Sequence, residues 1–106
     1  MITSILIAAV LATGSVELRE PPVMQVSATG LNLSDARDAA VFADRVVEQS
    51  RRFCALHLER ITPEHPANPR FCERGMAEEA VRALPEAHRQ RFRAAGGPAL
   101  VYRRLR

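Results

Sequence analysis

Residues 53–72 read FCALHLERITPEHPANPRFC and hold both cysteines of the chain, Cys54 and Cys72, with two of its three histidines, His57 and His65. Two chemistries are open to that set. Two thiols in one small domain oxidise together in an oxidising compartment and stay reduced elsewhere. Closing a loop of about nineteen residues would stabilise the fold by about 3 kcal/mol in the chain-entropy account. Alternatively, Cys54, His57, His65 and Cys72 supply the four donors of a tetrahedral zinc or copper site. Cys54 and His57 stand three apart, so one side of a helix can present both. The spacing C-x2-H-x7-H-x6-C matches no standard zinc framework, and a metal would compete with oxidation for the same sulfurs.

Other chemistry finds less support in the residues. Disulfide exchange favours a close C-x-x-C pair with a stabilised thiolate, which this long loop does not offer. The chain has no nucleophile elbow, no glycine-rich phosphate loop and no convincing triad. The third histidine, His88, stands among arginines, and a solvated helix face accounts for it. The expectation is a protein that is not an enzyme and needs no cofactor.

The choice between disulfide and metal turns on compartment, and the first residues bear on that. MITSILIAAVLATGS opens with an uncharged apolar run, Ile5 to Ala12, about half the length that spans a bilayer as a helix. Ala12 and Gly14 are small residues two apart, the pattern that signal peptidase reads. Residues 1–14 are therefore expected to be a signal peptide cleaved near 14/15, although no Lys or Arg precedes the apolar run. A buried N-terminal element is the competing account. The polar, proline-bearing SVELREPPV that follows suits a flexible mature N-terminus over 15–22. No lipobox cysteine is present, so no lipid anchor is expected. The expected location is periplasmic or secreted, with no transmembrane segment in the mature form, and oxidation of Cys54 with Cys72 becomes the default.

The elements that must position these residues follow from patterning. The chain has 106 residues, 47% apolar and 25% charged, room for one domain. Four Phe, one Tyr and no Trp leave a small, alanine-rich core that would gain from a staple. Residues 23–28, VMQVSA, alternate weakly and predict a short strand-like segment, ended by Gly30. Ser34 is positioned to cap a helix, with Asp35 at the positive end of its dipole. Apolar residues at Ala36, Ala39, Ala43, Val46, Val47, Phe53, Cys54 and Leu58 predict a long amphipathic helix. Pro63, Pro66 and Pro69 then stop it and favour an extended, rigid loop. A second helix is expected from about Pro69 to Leu84, with Cys72, Met76, Ala80, Ala83 and Leu84 on one stripe. A short third, Glu86 to Ala95, would have Pro85 in its first turn and end at Gly96-Gly97. Residues 96–106 read as a basic tail, either loose or an edge strand against 23–28. The fold class expected is mainly α: a small disulfide-stapled helical domain of two long helices and a short third.

Charge is unevenly spread. Residues 15–86 carry nine Arg against twelve acids, whereas 87–106 carry six Arg and no acid. Arg89, Arg91, Arg93, Arg103, Arg104 and Arg106 form a candidate contact for an acidic protein or an anionic envelope component. Nucleic acid is not expected as a partner. Arg89, Arg91 and Arg93 do not share one helical face, which argues against a membrane-surface helix. Solubility, or docking onto the protein's own acidic body, is the simpler account of the basic tail.

Taken in order, the export signal, GLNLSD, DRVVEQSRRFC, a second cysteine and MAEEAVRAL resemble the UrcA family of small exported proteobacterial proteins. Asn32, Leu33 and Ser34 match the family's start, Arg45 its helix arginine, and Cys54 and Cys72 its cysteine pair. The likeness covers roughly residues 23–84, in a UrcA-like helical domain placed at 23–95. The segment before LNLS lacks an aromatic often found there, the loop between the cysteines is unusually rich in Pro and His, and the tail is longer and more basic. The family has no assigned biochemical activity, so the resemblance implies compartment and architecture only. The functional expectation is a small non-enzymatic periplasmic or secreted protein, of the envelope-stress or interaction kind. The alternative is a metal-binding or metal-responsive protein using Cys54, His57, His65 and Cys72.

Overall fold

The computed structural model describes residues 21–106. The expected signal peptide over 1–14, its cleavage point and most of the stretch 15–22 lie outside the described residues. Four helices follow in order: α1 Ala36–Ile61, α2 Pro69–Arg82, α3 Glu86–Ala94 and α4 Gly97–Arg104. The architecture is mainly helical, and α1 carries the core.

The start of α1 shows how polar side chains set a helix boundary. Asp35, not Ser34, is the N-cap: its backbone is extended and its carboxylate accepts from the Asp38 amide at 3.0 Å. Both residue types cap well, but it is Asp35 that has an extended backbone immediately before the first helical residue and whose side chain reaches a first-turn amide. Asp38 answers by accepting from the Asn32 amide at 2.8 Å, and Asn32 accepts from Ser34 at 3.1 Å. These bonds hold the Leu31–Asp38 corner so that Leu33 drops into the core. Asp35→Ala is therefore expected to lower unfolding free energy by about 1 kcal/mol, against less than about 0.5 kcal/mol for Ser34→Ala, in urea titrations.

Along α1 the buried face comprises Ala39, Phe42, Ala43, Val46, Val47, Ser50, Phe53 and Cys54. Ala36 is exposed and Leu58 half-buried, whereas Phe42 and Ser50 join a face that the expected stripe omitted. The core is closed by Leu33, Ala77 of α2, Leu84, Phe92 of α3 and Val101 of α4. Phe42 and Phe92 meet edge to face at 5.2 Å between ring centres, a favoured aromatic geometry. On α2 the inward residues are Cys72 and Ala77. Met76 and Ala80 are half-buried, and Ala83 is exposed.

Three sequence expectations are corrected by the structure. Residues 23–28 form no strand, and no strand occurs among the described residues. The segment nevertheless keeps its alternation, with Met24, Val26 and Ala28 half-buried and Val23, Gln25 and Ser27 exposed. It is tied down by the Arg45 guanidinium, which donates to the Ser27 carbonyl at 2.9 Å.

The tail is neither loose nor an edge strand, because Gly97–Arg104 is helix α4 packed on α1. That removes the backbone edge with which 23–28 was expected to pair. Gly96 adopts φ 78°, the left-handed turn that glycine takes without strain, and reverses the chain from α3 into α4. Gly97 is buried against the Phe92 ring, where a Cβ would collide with it.

The loop between the cysteines is not extended either. The His65 amide donates to the Thr62 carbonyl and the Asn68 amide to that of His65, so the prolines punctuate two successive turns. Asn68 then caps α2 by accepting from the Phe71 amide at 3.1 Å, with Pro69 in the first turn.

Candidate functional site

Cys54 and Cys72 are joined in a disulfide, with their Cα atoms 5.9 Å apart. Cys54 sits two turns before the end of α1 and Cys72 in the first turn of α2, so the bond pins the two helices beside the loop. Both residues are buried. His57 and His65 lie elsewhere in the same hairpin. The His57 ring rests on Phe53 at 4.8 Å between centres, where α1 departs locally from helical backbone, and the His65 ring rests on Phe71 at 4.1 Å. Among the described residues, no three His, Cys, Asp or Glu side chains gather as a metal-holding group.

The arginines are redistributed by the fold. Arg104 pairs with Asp44 of α1, and its carbonyl accepts from Arg51 at 2.8 Å. This arginine does dock onto the acidic body, fastening α4 to α1. Arg91 and Arg103 are exposed. Arg89 and Arg93 stand four apart on α3, and both line a groove bounded by α2, α3 and α4 with a volume of about 560 Å³. Taking 89, 91 and 93 together hid the face that the first and third share.

The other cations of this groove, Arg74 and Arg82, come from α2, inside the stretch that totals to a net negative charge. Ala77, Val81, Val101 and Leu105 contribute its apolar lining. Tyr102 stands in the groove half-exposed, and Glu78 and Glu86 are also among its lining residues. Arg82 is engaged by Glu79 at 3.0 Å, and Arg89 donates to the Arg82 carbonyl at 3.0 Å. Among the described residues Arg74 and Arg93 make no ion pair and no side-chain hydrogen bond. An adjoining hollow of about 460 Å³ shares Arg74, Tyr102 and Leu105 and adds Arg70 and Arg106. A face of apolar floor and arginine rim suits an anion that also carries hydrocarbon.

The helical spacing of 74, 78 and 82, beside apolar 77 and 81, was the available signal for α2's share of this face. No family model matches this chain, and neither a curated protein nor a solved structure matches it.

Proposed function

We propose that this protein is a small exported, non-enzymatic protein of the UrcA kind, stapled by its disulfide, that works by binding. The observation that carries the compartment is the bond between the only two cysteines of the chain, both removed from solvent. Such a pair is kept oxidised in the periplasm or outside the cell and kept reduced in the cytosol. An apolar run followed by small residues at 12 and 14 supports export. Binding is supported by the arginine-rimmed concave face, where Arg74 and Arg93 are exposed and have no ion-pair partner among the described residues.

The test is intact mass and thiol count on protein recovered from the periplasm and the medium. Expected is a chain beginning near Ser15, about two daltons below its reduced mass, with no reactive thiol. Retention of residues 1–14 in the cytoplasm, or two titratable thiols with stoichiometric zinc or copper, would overturn this reading in favour of an intracellular or metal-binding protein.

A further inference from the structure

We infer that the groove between α2, α3 and α4 is a binding site for a small amphipathic anion, a molecule with one carboxylate or phosphate head and an aliphatic body. The inference deepens the binding half of the function proposed above and is independent of the export half.

Three features of the groove select that class. Its size, about 560 Å³, lies within the range of small-molecule sites, and it shares Arg74, Tyr102 and Leu105 with the adjoining hollow. Its floor is hydrocarbon from Ala77, Val81, Val101 and Leu105, with the half-exposed Tyr102 ring beside it. Ala77 and Val101 belong to the buried core. An aliphatic body laid there would leave water and cover the apolar surface that Val81, Leu105 and Tyr102 leave open, a driving force that grows with each methylene. Its rim is cationic: Arg74, Arg82, Arg89 and Arg93 line the groove with two carboxylates, Glu78 and Glu86. Guanidinium groups match planar carboxylate and phosphate oxygens with paired donors.

The four arginines are not equivalent. Arg82 pairs with Glu79 at the surface and Arg89 donates to the Arg82 carbonyl, so each already has a partner within the chain. Arg74 and Arg93 come from different helices and hold no such partner among the described residues. They are the cations left to meet a ligand's head. The two glutamates disfavour heads of high charge, which directs the site to one carboxylate or one phosphate monoester rather than to a polyanion.

The experiment is calorimetric titration of the oxidised protein with octanoate, decanoate and decyl phosphate as free monomers. Decanol supplies a body without a head, and inorganic phosphate a head without a body. Expected is binding of decanoate and decyl phosphate, about tenfold tighter for decanoate than for octanoate, since each buried methylene is worth roughly a factor of four at most. Decanol and inorganic phosphate should bind at least about tenfold more weakly than decanoate. The double variant Arg74→Gln, Arg93→Gln removes no side-chain bond among the described residues and should retain its thermal midpoint while losing about tenfold in decanoate affinity. The control Arg91→Gln, Arg103→Gln removes the same charge outside the groove and should bind like the parent.

Equal loss in the two double variants would reduce the effect to net charge and overturn the site. So would inorganic phosphate binding as well as decanoate, or an affinity indifferent to chain length. Capture by phosphatidylglycerol vesicles without binding of free decanoate would make the face a membrane contact instead. Failure of these titrations with the thiol and mass results intact would remove the groove alone. Free thiols with decanoate bound would remove export alone.

Discussion

Phe92→Ala lowers the unfolding free energy by about 3–5 kcal/mol and takes α3 and α4 with it. Phe92 is the only buried residue of α3, a helix of nine residues, and it is fully enclosed. Helices of that length do not persist alone in water, so α3 exists because this ring is docked. Truncation removes the edge contact with Phe42 and opens a cavity beneath Gly97, whose backbone lies directly on the ring. Since α4 enters through the Gly96 turn immediately after α3, losing the anchor also loosens the hold on Val101. Phe92→Leu keeps most of the volume and should cost less than about 1.5 kcal/mol. Urea titrations of the three proteins, followed by far-ultraviolet circular dichroism, check this. An alanine variant within about 1 kcal/mol of the parent would show that Phe92 does not anchor α3.

The Cys54→Ser, Cys72→Ser double variant is expected to lose about 3 kcal/mol relative to the oxidised parent, chiefly because its unfolded chain regains the freedom of a closed loop. The native side of the balance argues the same way. Both cysteines are buried, so the variant also places two hydroxyls where no water reaches. A small domain has about 5–15 kcal/mol in total, so the loss is a large share of it. Comparing the oxidised parent, the reduced parent and the double variant separates the two contributions. The reduced parent isolates the cross-link, and the variant adds the cost of the hydroxyls. Equal midpoints for oxidised and reduced protein would show that the bond does not stabilise this fold.

The sequence made some of these features legible and concealed others, for identifiable reasons. The 26-residue helix α1 was readable because its apolar residues repeat over many turns, and no neighbour is needed to see the period. Its break near Thr62 and the start of α2 at Pro69 follow from proline chemistry, and the Gly96 turn from glycine's freedom. Helix α4 could not be seen in the same way. Eight residues carry too few apolar positions to establish a period, and its helical state comes from Leu100, Val101 and Leu105 docking on a core built largely by α1. The expected strand failed with it, since residues 23–28 alternate as a strand does but have no edge to pair with among the described residues. Ser34 and Asp35 compete as caps on equal chemical terms, and the choice follows from the helix beginning at Ala36, directly after Asp35. The groove was hidden for another reason. Charge totals along the chain assigned Arg74 and Arg82 to an acidic body, and only the packing of α2 against α3 and α4 sets them beside Arg89 and Arg93.

The hairpin between the cysteines has a consequence for survival among proteases. Residues 63–70 are all exposed, and the turns from Pro63 to Asn68 between α1 and α2 are the open stretch of chain there. That stretch falls between Cys54 and Cys72, so a cut within it leaves the two pieces covalently joined. The disulfide holds α1 to α2 across the cut, so neither piece diffuses away. The loop that looks most vulnerable is thus the one place where the chain can be severed and the molecule stay whole.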